Sequence, residues 1–112
     1  MRKPKPLWWR RLSSALTPRR KLQVFEGDSL PDHLPKLKLG LARDAGEDWA
    51  VGMYCPCGCA RRLELMVLQS VKPRWDYHVD QTGYVTLHPS VWLKTGCRSH
   101  FWLRNGKVVW CE

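Results

Sequence analysis

The chain has 112 residues, which is enough for one folded domain and too few for two independent hydrophobic cores. Hydrophobic residues make up 44% of it, so the composition excludes wholesale disorder. No apolar run approaches the roughly 20 residues that a membrane span requires. Because no apolar stretch follows the N-terminal basic residues as it would in a secretory signal, we expect a cytoplasmic protein.

The net charge of +9 is concentrated near the N-terminus. Eight of the 19 basic residues lie within residues 1–22, which contain no acid, so the other 11 are balanced by all ten acids. Residues 23–112 are therefore nearly neutral. We predict that residues 1–34 form a basic arm and linker, followed by a folded domain over residues 35–112.

The arm contains a short amphipathic pattern. If residues 7–16 are helical, an apolar row forms on one face at i, i+4, i+7 and i+8 spacing, because a helix repeats every 3.6 residues. Such a helix can bind an acidic protein, nucleic acid or an anionic membrane, or it can simply dock on its own domain. The residues that we expect to contact a partner are Trp8, Trp9, Arg10 and Arg11.

Beyond residue 35 the apolar residues recur with a period of about two, which predicts short strands. The first is expected over residues 36–42, and others flank a cysteine-rich turn and the Pro89-Ser90 step. Asn105-Gly106 favours a type I′ turn, so we expect a C-terminal hairpin in which His100 lies opposite Cys111. The predicted fold is all-β: a small, zinc-stabilised antiparallel sheet or sandwich of about six or seven strands.

Five cysteines dominate the chemistry of the sequence. Cys55, Cys57 and Cys59 lie within five residues, and the intervening Pro56 and Gly58 permit the turn that brings thiolates onto one ion. An odd number of cysteines and the lack of a secretion signal argue against disulfides. The sequence therefore predicts one half of a metal site.

The other half is expected about 40 residues downstream, where Cys97 and His100 form a Cys-x-x-His pair. Cys111 is a spare ligand, a residue bonded to the ligands, or a residue packed beside them. Zinc is favoured over an iron–sulfur cluster, since a Rieske centre requires a second histidine where Cys57 stands. No pattern typical of a catalytic zinc site is present, so the ion is expected to be structural and no catalytic residue is assigned.

The sequence resembles a small bacterial family of domains of unknown function that are regarded as metal-binding. Four segments carry the resemblance: C-P-C-G-C at 55–59, V-T-L-H-P-S-V at 85–91, C-R-S-H-F-W at 97–102 and N-G-K-V-V-W at 105–110. It extends over residues 36–112 and excludes the arm. Some members of the family are encoded beside bacterial ubiquitin-like conjugation genes.

The resemblance implies that Cys55, Cys57, Cys97 and His100 are the ligands, with Cys59 competing for one place. It also favours a zinc-binding interaction module without intrinsic catalytic activity, an adaptor or ligase-like component of ubiquitin-like conjugation with protein partners. Ser90 is expected to shape a bend, because no base is visibly paired with it in the sequence. A nucleic-acid-binding protein that uses the arm, and a metalloenzyme or iron–sulfur protein, are the alternatives.

Overall fold

The computed structural model describes residues 6–111. Within them one helix is followed by nine short strands, arranged in three small sheets. The elements are α1 (Leu7–Leu16), β1 (Lys21–Glu26), β2 (Lys38–Asp44), β3 (Glu47–Tyr54), β4 (Arg62–Met66), β5 (Asp76–Val79), β6 (Val85–His88), β7 (Val91–Trp92), β8 (His100–Arg104) and β9 (Lys107–Trp110).

The all-β prediction is confirmed, and two details of it are wrong. The described residues hold nine strands instead of six or seven, and β1 pairs with β2 in parallel, so the first sheet is not purely antiparallel. β1 belongs to the segment assigned to the arm and linker. It was missed because it is a half-exposed edge strand, and a parallel partner cannot be read from local alternation. The domain boundary at residue 35 stays a prediction.

The first sheet has the order β1-β2-β3-β4 and is covered on both faces. Alternate residues of β2 and β3 pack into the main core, while Ala42 and Ala50 face a second cluster formed with Leu30 and Leu34. The loop between β1 and β2 supplies these two leucines. A Cβ at Gly52 would lie 2.6 Å from the Leu30 side chain, so small residues on this face admit the loop.

The remaining sheets are the β5–β6 pair and a three-stranded sheet of order β7-β8-β9. The predicted hairpin is confirmed: Asn105 and Gly106 have φ values of 49° and 79° and connect β8 to β9. Its register pairs Phe101 with Trp110, and the Cys111 N–H donates to the His100 carbonyl at 2.9 Å. Strands of all three sheets contribute to one main core, which also contains cysteine side chains.

The short helix that the sequence analysis considered over residues 7–16 is present as α1, which packs against β9. The Trp110 indole donates to the Arg10 carbonyl at 3.1 Å, and the Arg10 guanidinium lies 5.3 Å from the Trp110 ring centroid. Much of the apolar row that the sequence singled out faces solvent: Trp8 is 67%, Leu12 53% and Leu16 77% exposed. No helix among residues 6–111 is long and apolar enough to cross a membrane.

Candidate functional site

The first part of the site is a tight turn between β3 and β4 that carries three cysteines. The Cys55 N–H donates to the Arg61 carbonyl at 2.7 Å, and the Gly58 N–H donates to the Cys55 carbonyl at 3.3 Å. Gly58 has φ 91°, a conformation that residues with a side chain rarely adopt, so glycine is required for this turn. The turn holds the thiols of Cys55, Cys57 and Cys59 together.

The loop between β7 and β8 brings in the fourth thiol. The Sγ atoms of Cys97 and Cys55 are 3.7 Å apart, and those of Cys55 and Cys57 are 3.4 Å apart. All four sulfurs, including that of Cys59, lie within 4.8 Å of one another. Cys55, Cys57 and Cys97 are buried, and Cys59 is half-buried. Two segments that are distant in sequence therefore meet in one cysteine cluster, residues 55, 57, 59 and 97.

The geometry of the cysteine cluster fits a tetrahedral metal ion. Four sulfurs placed about 2.3 Å from zinc lie about 3.8 Å from one another, close to the 3.4 Å and 3.7 Å that separate Cys55 from Cys57 and Cys97. Thiolates alone are the ligands typical of structural zinc or of an iron–sulfur centre. The cluster could hold a metal ion, and which metal it holds stays a prediction.

Hydrogen bonds lower the pKa of the Cys97 thiol. Burial opposes its ionisation, but bonds with the side chain and backbone of Ser99, and with the Cys57 and Cys55 thiols, lower its pKa to about 6. The wholly buried Ser99 places its Oγ 3.1 Å from the Cys97 Sγ. Burial raises the pKa values of Cys55 and Cys59. Metal binding must therefore displace protons from these two thiols.

His100 and Cys111 do not belong to the cysteine cluster, although the sequence offered both as ligands. Successive side chains of a strand point to opposite faces. Ser99 points towards Cys97, so His100, the next residue, points away from the thiols. Cys59 occupies the fourth position instead. Cys111 immediately follows β9 and lies beside His100, as the hairpin register predicts.

The second part of the site is a serine–histidine pair. The Ser90 Oγ and the His100 Nε2 are 3.0 Å apart, a hydrogen-bond distance. The expectation that Ser90 has no paired base is therefore wrong. Ser90 immediately precedes β7 and His100 begins β8, so the antiparallel pairing of the two strands brings them together.

Aromatic packing fixes the imidazole of this pair. Trp92 lies opposite His100 in the β7–β8 register, and the two rings stack with centroids 4.7 Å apart and planes 10° apart. The Lys94 Nζ lies over the Trp92 indole, 2.9 Å from its centroid. A hydroxyl beside an oriented imidazole is the arrangement in which a histidine activates a serine nucleophile.

Sequence reasoning missed the contacts that Ser99, Trp92 and Ser90 make in the site. One signal was available, because the C-terminal hairpin fixed the face of His100, and a strand at residues 91–93 was expected. Pairing that strand with β8 would have placed Trp92 opposite His100, with Ser90 two residues further along the same face. The loop between β7 and β8 sets this register, and its sequence contains no turn motif from which the register could be predicted.

The residues expected to bind a partner lie on α1 and differ in exposure. Trp8 and Arg11 are exposed, whereas Trp9 and Arg10 are half-buried. The Trp9 ring lies next to Gly58, where a Cβ would come 3.7 Å from it. Trp9 and Arg10 thus contact their own domain, one at the cysteine turn and the other at Trp110.

The fold and site define a small β protein with a clustered set of thiols and a serine–histidine pair on neighbouring strands. A family model described as "Bacterial ubiquitination-like system serine protease (BubE)" matches residues 26–111. The chain belongs to this family, which agrees with the resemblance to a bacterial family linked to ubiquitin-like conjugation. No curated protein and no solved structure matches the chain.

Proposed function

We propose that the protein is a serine hydrolase of a bacterial ubiquitination-like system, in which Ser90 is the nucleophile and His100 the general base. The observation that carries the proposal is the 3.0 Å distance between the Ser90 Oγ and the His100 Nε2. The description of the BubE family as serine proteases supports it and indicates a peptide or isopeptide bond as the target. The expected partners are then a ubiquitin-like modifier and the proteins that carry it.

The reaction proceeds in two acyl transfers. The His100 Nε2 accepts the hydroxyl proton as the Ser90 Oγ attacks the substrate carbonyl, and the imidazolium then donates that proton to the departing amine. An ester joins the acyl group to Ser90. Water then attacks this ester while His100 accepts a proton from the water. The acid product departs, and His100 returns the proton to the Ser90 oxygen.

The cysteine cluster has a structural role in this proposal. Cys55, Cys57, Cys59 and Cys97 would hold zinc through four thiolates, which leaves no open position for substrate and cross-links two loops. Cys97 lies three residues before His100 on the segment that enters β8. Fixing that segment limits the movement of the imidazole relative to Ser90.

Labelling with a fluorophosphonate probe tests the proposal, because such probes phosphonylate activated serines. We expect the label on Ser90, its loss in Ser90→Ala and strongly reduced labelling in His100→Gln. Ser70→Ala replaces an exposed serine and is the matched control. Equal labelling of Ser90→Ala and the unsubstituted protein would show that another residue reacts, and would contradict the assignment of the nucleophile.

A second function, as a zinc-stabilised adaptor or ligase-like component of the conjugation system, is favoured by the exposed face of α1. Trp8, Leu12 and Leu16 present apolar surface beside basic residues, a composition that suits a protein surface with apolar and acidic groups. Leu12→Glu should abolish capture of a conjugating enzyme without changing hydrolysis. Nucleic-acid binding by the arm predicts instead an affinity that falls steeply with salt.

A further inference from the structure

We infer that the substrate is an extended polypeptide segment that binds as an additional antiparallel strand along the open edge of β7. The inference rests on the proposed function and names the form of substrate that the Ser90 site accepts. β7 is the outer strand of its sheet and begins at the residue after Ser90. An edge strand presents unpaired backbone groups that another extended chain can use.

The hydrogen bonds of β7 identify which backbone groups face outwards. The Leu93 N–H donates to the Ser99 carbonyl at 2.8 Å, so Leu93 turns its backbone groups towards the β8 side. Antiparallel strands alternate between residues that exchange such bonds and residues that do not. Trp92, which pairs with His100, must therefore turn its N–H and C=O away from β8.

The neighbouring strand agrees with this alternation. The His100 carbonyl accepts the bond from the Cys111 N–H, so the backbone groups of His100 are directed at the β9 side. Across residues 6–111 no other segment pairs with the outer edge of β7. Trp92 is 57% exposed, so the residue whose backbone groups face outwards lies at the protein surface.

The spacing between Trp92 and Ser90 determines the direction of the bound chain. In an antiparallel arrangement, a substrate residue that exchanges two bonds with Trp92 is followed, two residues later, by a residue opposite Ser90. Two residues span about 6.6 Å of strand, so the carbonyl of this later residue reaches the nucleophile. In a parallel arrangement the substrate residues that follow the one paired with Trp92 lie further from Ser90. The carbonyl to be attacked then cannot reach the nucleophile. Antiparallel binding is therefore the productive one.

This geometry defines the class of substrate. Only a segment without its own strand partners can pair with an edge, so the bond to be cleaved lies at the end of a flexible tail or in an unfolded linker. The residue before the cleaved bond lies opposite Ser90, and the residue two positions earlier pairs with Trp92. The residue between them directs its N–H away from β7.

N-methylated substrates test the alternation directly. The probe is acetyl-tetraalanine p-nitrophenyl ester, and its two variants carry an N-methyl group on the second or the third alanine counted back from the ester. Methylating the third alanine removes its bond to the Trp92 carbonyl, and we expect kcat/KM to fall about tenfold. Methylating the second alanine is the matched control and should change kcat/KM by less than about twofold. Equal losses, or the larger loss at the second alanine, would overturn the inference.

The second bond of this pair, from the Trp92 N–H to the substrate carbonyl, is tested by substitutions in the protein. Trp92→Pro removes the outward N–H, which proline tolerates on an edge strand, whereas Trp92→Phe keeps it. The readout is kcat/KM for the peptide ester divided by kcat/KM for p-nitrophenyl acetate. The acetyl group of the second ester is too short to reach Trp92, so this ester reports on the Ser90 site alone. We expect this ratio to fall about tenfold in Trp92→Pro relative to Trp92→Phe, and an unchanged ratio would overturn the inference.

The acetate ester also separates the two proposals. One outcome is that the acetate is hydrolysed in a Ser90-dependent way while N-methylation lowers kcat/KM equally, or not at all, at the second and third alanines. That result would reject the edge-binding mode and keep Ser90 as the nucleophile. If neither ester is hydrolysed in a Ser90-dependent way, the proposed function and the inference both fail.

Discussion

Ser99 and His100 are adjacent in sequence and serve opposite faces of the same segment. The Ser99 Oγ lies 3.1 Å from the Cys97 Sγ, and the His100 Nε2 lies 3.0 Å from the Ser90 Oγ. The cysteine cluster and the serine–histidine pair therefore share a backbone without sharing a side chain. Variants can be designed to damage one of the two without removing a group from the other.

The first prediction concerns the interdependence of the proposed catalytic residues. Ser90→Ala and His100→Gln should each lower the rate of ester hydrolysis by at least about a thousandfold, because nucleophile and base act as a unit. The double variant should be no slower than either single variant. Steady-state kinetics with p-nitrophenyl acetate measure both effects, and additive losses would contradict a shared step.

The second prediction separates two ligand sets. Metal analysis should find one zinc ion per chain, retained in His100→Gln and in Cys111→Ser but lost or weakened in Cys97→Ser. The free energy of unfolding of Cys97→Ser should fall by several kcal/mol, roughly the cost of losing a structural metal. Cys111→Ser is the matched control, since its thiol lies outside the cysteine cluster. Loss of zinc from His100→Gln would instead favour the ligand set with one imidazole.

The third prediction follows from the thiol pKa values. Zinc binds thiolates, and burial raises the pKa values of Cys55 and Cys59, so protons compete with the ion at neutral pH. Zinc affinity should therefore fall as the pH is lowered. Competition with a chromophoric chelator, carried out between about pH 8 and pH 6, measures how zinc affinity changes with pH. A flat profile would contradict ligation by thiols that are protonated in the metal-free protein.

The fourth prediction concerns an ion pair beside the β2–β3 turn. Burial alone would raise the pKa of Asp48, but hydrogen bonds from Arg43 and Tyr77 outweigh burial and hold that pKa below its usual value of 3.8. The Arg43 Nε donates to Asp48 at 2.7 Å. The stabilisation is therefore present above the usual pKa and is lost as the pH falls through the lowered one.

Asp48→Asn should lower the melting temperature at pH 7, and the difference from the unsubstituted protein should shrink as the pH approaches 3. Asp44→Asn changes an exposed carboxylate of the same hairpin and is the control. A difference that stays constant across this range would show that the Asp48 carboxylate contributes nothing specific.

The fifth prediction compares two glycines at the second position of two-residue turns. Gly46 and Gly106 have φ values of 78° and 79°, so alanine is strained equally at both. Nothing lies within 4 Å of a Cβ at Gly46, whereas a Cβ at Gly106 would lie 2.5 Å from the Arg20 carbonyl oxygen. Chemical denaturation should show a free energy of unfolding that is about 1–3 kcal/mol lower for Gly106→Ala than for Gly46→Ala, the usual cost of overpacking.

Local patterns predicted the parts of this structure that depend on neighbours in sequence. Asn105-Gly106 indicated the C-terminal hairpin, and the clustered cysteines at 55–59 indicated a turn that presents thiols. Cys97 was also expected to join them. The hairpin and the cysteine turn are predictable because a single turn of backbone decides each of them, whereas Cys97 was expected from its Cys-x-x-His spacing.

The features that the sequence left open or missed depend on how distant segments meet. Whether His100 or Cys59 completes the cysteine cluster depends on which face of the segment meets the thiols, and Ser99 turns out to face them. The partner of Ser90 depends on the register of β7 against β8, which the intervening loop sets. β1 escaped notice because its parallel partner follows a long irregular connection.

The two halves of the site differ in how far the chain must travel to assemble them. Ser90 and His100 are ten positions apart, whereas Cys55 and Cys97 are 42 apart. Closing the shorter loop costs less chain entropy, so β7 and β8 can pair early during folding, before the distant thiols meet. Under the proposed function, a folding chain would then bring its nucleophile and base together before a metal ion joins the two cysteine segments.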